Sequence, residues 1–363
     1  MNKKFINQME PWYGREEKQA VLEYLNSGGW LMEFKKTEEF EQMLCDYTGA
    51  KYCSVLPNGT ITLVLAMLVL GIKSGDEVIV PDYTMIATPN AVRMAGAKPV
   101  LVDVDASLCM STANVAQAIT AKTKAVIHVS VNGRAGELGA LKLLCKKRGI
   151  HLIEDAAQSL GSFYKGKHLG RHGIIGSFSF SVPKIITTGQ GGALITDNKK
   201  LYEKIEKLKD FGRVRPGVDL HDTLGWNFKF TDLQAVFGIA QMKKLAWRVK
   251  RKKAIYALYY KLLKTVPEIE FIPTNLNEVA PWFIDIMVPD PKALAVYLKT
   301  KSVGTRIFYP ATHTQVVYKK TRGKFPVALA VSVHGLWLPS SSSLTNSDVK
   351  KVCTEIRRFF NRS

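Results

Sequence analysis

From residue 52 onward, short runs rich in β-branched residues alternate with longer segments of helical periodicity. The runs predict strands at 52–56, 77–80, 99–102, 125–131 and 151–153, and the intervening segments predict helices. Parallel strands need long crossover connections, so this alternation predicts a mostly parallel sheet with helices on both faces. The chain is therefore expected to have an α/β fold.

The pattern changes after residue 175. Strands are predicted at 176–182 and 192–196, and the segment between them is too short for a crossover helix, so at least one antiparallel edge is expected. Long helices at 231–245 and 249–263 precede a smaller mixed region. At about 150 residues per domain, a chain of 363 residues has room for two domains. We place the boundary near residue 246, with an N-terminal arm and large domain at 1–245 and a smaller C-terminal α/β domain at 246–363.

The charge is the abnormal feature of the composition. There are 51 Lys and Arg residues against 31 Asp and Glu, which gives a formal charge of +20 and indicates an anionic partner of unknown kind. Part of the excess lies in a basic stretch, residues 243–264, which has no acidic residue. This stretch is either a nucleic-acid-binding helix or a solvated helix face, and we favour the second interpretation. Its cations are Lys243, Lys244, Arg248, Lys250, Arg251, Lys252, Lys253, Lys261 and Lys264.

Several classes of protein are disfavoured. The longest mostly apolar run, 61–72, has 12 residues, fewer than the roughly 20 that a membrane-spanning helix needs. Residues 1–11 lack the apolar core of a signal peptide, so a cytoplasmic protein is expected. The five cysteines are scattered and are expected to be reduced thiols. His168 and His172 are separated by glycine-rich loop sequence, so we expect surface histidines and no metal site.

Three clusters of residues could carry chemistry, and the first is Asn58-Gly59-Thr60. It follows a predicted strand and precedes an apolar helix, so its donors would face an anion such as phosphate at the positive end of that helix. The alternative is that Asn58 or Thr60 only caps the helix.

The second cluster, residues 154–158, ends the strand predicted at 151–153. Ligands of open α/β sheets bind beyond the carboxyl ends of the strands, where a carboxylate can pair with a cationic ligand nitrogen. Neighbouring strand residues face opposite ways, so only one of Glu154 and Asp155 should point into the site. Alternatively, Asp155 caps the next segment.

The third cluster contains Lys184, flanked by apolar residues and a glycine-rich turn. These neighbours could desolvate its amine and lower its pKa, as a Schiff-base lysine requires. A lysine that extends its amine to solvent is the commoner alternative. Together the clusters fit pyridoxal phosphate, which needs an anion cradle, a carboxylate for its ring nitrogen and a lysine for its aldehyde.

The sequence resembles the DegT/StrS-type aminotransferases, which act on nucleotide-linked keto sugars and have the fold of aspartate aminotransferase, the type I fold of pyridoxal-phosphate-dependent transferases. The motifs that carry this resemblance are Glu154-Asp155-Ala156-Ala157-Gln158, Lys184, Thr188-Gly189-Gln190-Gly191-Gly192 and Gly225-Trp226-Asn227.

The resemblance implies a role for each matching residue. Lys184 would carry the cofactor, Asp155 would pair with its ring nitrogen, and Gln158 would bind its ring hydroxyl. The phosphate would be held by Gly59, Thr60 and Ser179, and by Asn227 from the neighbouring subunit of a homodimer. His313 and Arg306 are candidate substrate residues, because they lie in a C-terminal segment that this family folds near the sugar.

This sequence also departs from the family pattern. Met85, or else Tyr83, stands where relatives often place an aromatic ring over the cofactor. Gln190 replaces a frequent Glu, and Val131-Asn132-Gly133 replaces a frequent aromatic-Gly pair. These variants resemble the branch that makes 4-amino-4,6-dideoxy sugars of the viosamine type.

The implied reaction moves the amino group of L-glutamate to C4 of a UDP- or dTDP-linked 4-keto-6-deoxyhexose. A GDP-perosamine-type enzyme, or one that acts at C3, is an alternative. A sugar dehydratase of the same fold is disfavoured by the presence of Lys184.

Overall fold

A computed structural model describes residues 5–361 and contains a large sheet of seven strands in the order β1-β9-β8-β5-β4-β2-β3. Strand β9 is antiparallel to both neighbours, and the other adjacent pairs are parallel. The expected antiparallel pairing is therefore confirmed, although the reversed strand lies inside the sheet and not at its edge. In chain order the strands are β1 (Tyr52–Leu56), β2 (Glu77–Pro81), β3 (Lys98–Val102), β4 (Thr123–Val129) and β5 (His151–Asp155), then, after the hairpin β6 (Phe163–Tyr164) and β7 (Lys167–His168), β8 (Ile175–Ser179) and β9 (Gly192–Thr196).

Helices cover this sheet, as the alternating pattern predicted. Helix α3 is buried from Thr62 to Val69 apart from Leu68, because its sequence is apolar on nearly every side. The helices up to this point of the chain are α1 (Arg15–Asn26), α2 (Lys35–Thr48), α3 (Gly59–Val69), α4 (Ala87–Met94), α5 (Thr112–Ala118), α6 (Leu138–Arg148), α7 (Lys199–Lys209) and α8 (Asp232–Met242).

A second, four-stranded sheet follows with the order β10-β11-β13-β12, and all its neighbouring pairs are antiparallel. It has its own apolar core, in which side chains of α9, of the strands and of α12 meet. The elements of this part are α9 (Leu245–Leu263), β10 (Glu270–Phe271), β11 (Ile284–Met287), α10 (Pro291–Thr300), β12 (Arg306–Ile307), α11 (Pro326–His334), β13 (Gly335–Leu338) and α12 (Asn346–Phe360).

The boundary proposed near residue 246 lies in the first turn of α9. The start of the N-terminal arm packs on the C-terminal side of this boundary, because Ile6 pairs with Val303 and lies in the smaller core. Among the described residues, none of the helices is long and apolar enough to span a membrane.

Candidate active site

The carboxyl ends of the parallel strands lie at one edge of the large sheet, and polar residues follow them there. Asn58 comes after β1, Asp82 after β2 and Asn132 after β4, whereas Asp155 and Ser179 end β5 and β8. The predicted phosphate, carboxylate and lysine clusters are therefore brought to one edge by the topology of the sheet.

Lys184 lies in the loop after β8 and is half-buried. Burial lowers the pKa of its amine to about 8, although the negative charge of Asp155 acts in the opposite direction. The Nζ atom lies 4.2 Å from the centroid of the Trp282 ring. The expected desolvation of Lys184 is confirmed, and its bond to a cofactor stays a prediction.

Glu154 and Asp155 point to opposite faces of β5, as their positions in the strand predicted. Glu154 accepts hydrogen bonds from the backbone N–H groups of Gly170, His172 and Gly173, so it holds the loop before β8. Asp155 accepts a hydrogen bond of 2.7 Å from the hydroxyl of Thr88. It also accepts a bond of 3.2 Å from the Ala157 N–H, so the capping role is present as well.

Both carboxyls are buried, and burial raises the pKa of each. For Asp155, hydrogen bonds from Thr88 and Ala157 and the nearby charge of Lys184 lower the pKa in opposition to burial. A cationic ligand nitrogen beside this carboxylate would favour its charged form in the same way.

Gln158 shares a small pocket with Ser179, Lys184 and Trp282. Its Oε1 accepts a hydrogen bond of 2.8 Å from the backbone N–H of Asn132. That bond orients the side-chain amide, so that its NH₂ group is the end left for a ligand oxygen.

The proposed phosphate cradle is narrow. A Cβ on Gly59 would lie 2.9 Å from the Cβ of Ser179, so only glycine allows the start of α3 to approach Ser179 this closely. Asn58 caps α3, because its Oδ1 accepts from the N–H groups of Thr60 and Ile61. The capping interpretation is confirmed, and these two N–H groups are not free for a phosphate. The hydroxyls of Thr60 and Ser179 are then the side-chain donors of the cradle.

Of the two residues considered for contact with the cofactor ring, Tyr83 is buried and packs against Phe308, with ring centroids 5.9 Å apart. Met85 has 45% of its surface exposed. Its carbonyl accepts the N–H of Thr88, the residue that binds Asp155. Met85 is therefore the one of the pair whose side chain is open to a ligand.

The two candidate substrate residues have different environments. Nδ1 of His313 lies 2.6 Å from Oδ2 of the buried Asp82, and its ring stacks on Phe325. Arg306 is exposed, and its guanidinium lies over the rings of Tyr309 and Trp337. The structure thus orients His313 firmly, whereas Arg306 is held by aromatic faces.

Asn227 is exposed in a loop that forms a bridge with Asp210. Exposed apolar side chains occur in the same loop and near α2, and the largest exposed fractions belong to Leu224 (77%), Trp30 (63%) and Leu220 (62%). Trp30, Met32 and Phe34 line one groove together with Val214 of this loop, and an exposed apolar groove is typical of protein contacts.

The residues present fit pyridoxal phosphate. The lysine has a lowered pKa, the carboxylate is buried beside it, and the gap between Gly59 and Ser179 would be filled by a single added Cβ. Lys184 would bind the aldehyde carbon, Asp155 the ring nitrogen and Gln158 the ring hydroxyl. No cluster of three or more metal-binding side chains occurs among residues 5–361.

One expectation from the sequence was wrong, and another holds only in part, because Lys243, Lys250, Lys261 and Lys264 are exposed as expected. His168 is buried, and its ring accepts the N–H of Gly161, because it lies in the hairpin β6–β7 with its ring packed against Tyr47 and Phe178. In the basic stretch 243–264, Arg248 and Lys252 are buried and donate to backbone carbonyls. These two cations are therefore internal, and they belong neither to a solvated face nor to a nucleic-acid surface. Three others, Lys244, Arg251 and Lys253, also bind groups of this chain.

Three residues of the site were not identified from the sequence: Thr88, Asn132 and Trp282. Asn132 was noted only as part of a departure from the family pattern. The Asn-Gly pair at 132–133 is a turn signal, and Asn132 does adopt a left-handed conformation with φ of 53°. Thr88 and Trp282 have no local signal, because their roles arise from contacts with distant parts of the chain.

Known proteins resemble this chain along nearly its whole length. A sequence profile of the DegT/DnrJ/EryC1/StrS aminotransferase family matches residues 11–357. GDP-perosamine synthase of Escherichia coli O157:H7 is 34% identical over 98% of this chain and 99% of the relative. GDP-perosamine synthase of Vibrio cholerae is 32% identical over 97% of this chain and 98% of the relative. The crystal structure of the aminotransferase TlmJ from Streptoalloteichus hindustanus superposes with a TM-score of 0.94 at 31% identity, covering 98% of this chain and 99% of TlmJ. The chain therefore belongs to the DegT/DnrJ/EryC1/StrS aminotransferase family, and it is a sugar aminotransferase of fold type I that uses pyridoxal phosphate.

Proposed function

We propose that this protein transfers the amino group of L-glutamate to C4 of a nucleotide-linked 4-keto-6-deoxyhexose. The observation that carries this proposal is the amine of Lys184, with its pKa lowered to about 8, in one pocket with Gln158 and Ser179 and close to the charge of Asp155. Because Lys184 is present, the dehydratase alternative has no support in this chain.

When bound, pyridoxal phosphate supplies an electron sink for the negative charge left on a carbon that loses a proton. The chain supplies the groups that hold it and move protons. Lys184 is partly neutral near pH 8, so its Nζ can take the proton from the α-carbon of L-glutamate. In the second half of the reaction, the same Nζ returns a proton to C4 of the sugar.

Asp155 and Gln158 act as orienting groups. The Asp155 carboxylate keeps a positive charge on the ring nitrogen favourable, because it is buried and charge attraction is strong away from water. Thr88 and the Ala157 N–H hold that carboxylate in place. Asn132 holds Gln158 through its backbone N–H.

The nucleotide is proposed from the relatives. Two of them are named GDP-perosamine synthase, which supports a GDP-linked sugar and the perosamine-type alternative. The sequence variants favour the other candidates, the UDP- and dTDP-linked sugars of the viosamine type.

The active unit is proposed to be a homodimer. Asn227 is exposed in the single chain, and so are the apolar side chains of Leu224 in the same loop and of Trp30 before α2, which a second copy would cover. Such a contact would let Asn227 reach the phosphate of the neighbouring subunit. Leu224→Glu should then weaken both self-association, measured by sedimentation, and cofactor affinity.

The function is tested by offering GDP-, UDP- and dTDP-linked 4-keto-6-deoxyhexoses with L-glutamate and pyridoxal phosphate. We expect a 4-amino-4,6-dideoxy sugar from the GDP-linked substrate, with its configuration assigned by NMR. Lys184→Ala should abolish the product, whereas Lys165→Ala, an exposed lysine, should not. Amination at C3, or no amino sugar from any of the three substrates, would contradict the proposal.

A further inference from the structure

Trp282 contacts Lys184 in two ways from a distant part of the chain. It lies shortly before β11 and is buried. Its ring centroid is 4.2 Å from the Nζ of Lys184, and its Nε1–H donates a hydrogen bond of 2.6 Å to the carbonyl of Pro183. One side chain therefore contacts both the amine of the catalytic lysine and the peptide unit before it.

The Trp282 ring has little freedom to move. It stacks on Phe283 with ring centroids 3.8 Å apart, and the Phe283 N–H donates to Oδ1 of Asn132. The Trp282 carbonyl accepts a hydrogen bond of 2.7 Å from Nζ of the buried Lys252, which also donates to the Ser340 carbonyl. The ring is fixed by stacking and the backbone by hydrogen bonds.

Helix α9 holds the other side of the same lysine. Arg248, one turn before Lys252, donates a hydrogen bond of 2.9 Å to the carbonyl of Ile185, the residue after Lys184. Arg248 thus binds the backbone next to Lys184, and Lys252 binds the backbone of Trp282, whose ring faces the Lys184 amine. Burial lowers the pKa of Lys252 to about 7, so the hydrogen bonds of these two side chains, and not a fixed pair of charges, help to place Lys184.

An aromatic face attracts an ammonium group through the negative charge of its π system, and the attraction is stronger away from water. In the proposed function, Lys184 must leave the cofactor, carry a proton and return. A free lysine side chain has four flexible bonds and would lose its position without a partner.

We propose that Trp282 is a positioning residue whose indole face holds the amine of Lys184 whenever that amine is not joined to the cofactor. Its catalytic consequence rests on the proposed function, whereas the contact itself does not.

The contact is tested on the protein without cofactor by measuring the pKa of Lys184. Trace acetylation over a pH series, with mass spectrometry of the peptide that contains Lys184, gives this value. The chain is produced with normal, monofluorinated and trifluorinated tryptophan, which weakens the attraction of the ring for cations with little change of size. Because complete loss of a cation–π contact removes about 0.5 to 2 kcal/mol, we expect the pKa to fall by up to about 0.4 to 1.5 units, stepwise with fluorine content.

The control is the same series in Trp282→Phe, where the other five of the six tryptophans remain and the fluorine effect should disappear. An unchanged pKa in the fluorinated wild-type chain would overturn the contact. A shift of equal size in the Trp282→Phe series would also overturn it, because the effect would then come from other tryptophans.

The catalytic consequence is tested in single turnovers with L-glutamate and its α-deuterated form. We expect Trp282→Leu to slow the proton-transfer step about 3- to 30-fold and to increase the isotope effect, with little change in KM. Trp282→Phe should restore most of the rate, and Trp247→Leu, an exposed tryptophan outside this aromatic cluster, should leave the isotope effect unchanged. An unchanged rate in a folded Trp282→Leu variant would overturn the positioning role.

Failure of the wild-type chain to aminate any sugar would reject the proposed function, and the pKa measurement would still decide the contact.

Discussion

Thr88→Val is expected to raise the pKa of Asp155 by about one to two units. The hydroxyl of Thr88 donates to Oδ2 of Asp155 at 2.7 Å, and both residues are buried. Valine has nearly the shape of threonine and lacks the donor. The substitution therefore removes a hydrogen bond from the carboxylate with little change in packing.

The magnitude follows from the energy of a hydrogen bond to a charged group, about 1.5 to 3 kcal/mol. At about 1.36 kcal/mol per pKa unit, this loss corresponds to one to two units. The pKa of Asp155 rises because the lost donor stabilises the charged form of the carboxyl. The Ala157 N–H at 3.2 Å remains, but water cannot easily replace the lost donor in this buried position.

The assay is the dissociation constant of pyridoxal phosphate measured over a pH series. Asp155 must be ionised to pair with the ring nitrogen, so affinity falls as pH falls through the pKa of Asp155. In Thr88→Val this loss should begin one to two pH units higher than in the wild-type chain. Protonation of the cofactor itself is common to both proteins, so the difference between their curves isolates Asp155.

The matched control is Thr48→Val in α2. Thr48 is also buried, and its hydroxyl donates to a backbone carbonyl at 2.7 Å, with no contact to Asp155. The curve of this control should coincide with that of the wild-type chain. If the Thr88→Val curve also coincided with it, the hydrogen bond from Thr88 would not set the charge of Asp155, and the reasoning would be refuted.

Pyridoxal phosphate can combine only with the neutral amine of Lys184, so the rate of cofactor binding should rise with pH. Stopped-flow absorbance should place the midpoint of this rise near pH 8, the pKa of the buried amine. A midpoint near pH 10.5 would show that burial does not lower this pKa. Asn132→Leu should lower the free energy of unfolding by about 2 to 4 kcal/mol in urea titrations, because the buried N–H and C=O of Phe283 lose the Asn132 side chain as partner. A loss below about 0.5 kcal/mol would show that this bridge between the two sheets does not contribute to stability.

Much of the large sheet could be predicted from the sequence because strands buried on both faces are apolar without interruption. Strands β1 and β9 were predicted with the bounds observed. The end of β5 was predicted two residues too early, because Glu154 and Asp155 are polar although they continue the strand. The predicted strand at 176–182 extended past Ser179, where the chain leaves the sheet shortly before Pro183, a residue without a backbone donor.

The errors concern polar residues that were assigned to the surface. Arg248, Lys252 and His168 are polar in type, and local sequence predicts solvent for each of them. In the structure, backbone groups from other elements meet their side chains and offset the loss of water. The sequence around each of these residues does not show such partners, because they come from distant parts of the chain.

The sequence by itself determined which residues can carry the chemistry. Lys184, Asp155 and the Gly59-Thr60 pair are defined by residue type and by their places after strands, and strand ends of a parallel sheet meet at one edge whatever the details of packing. The tertiary structure decided what controls them. Thr88 lies 67 residues from Asp155 along the chain, and Trp282 lies 99 residues from Pro183. These contacts depend on how α4 and the second sheet pack against the first, and packing is a property of the whole chain that no short segment contains.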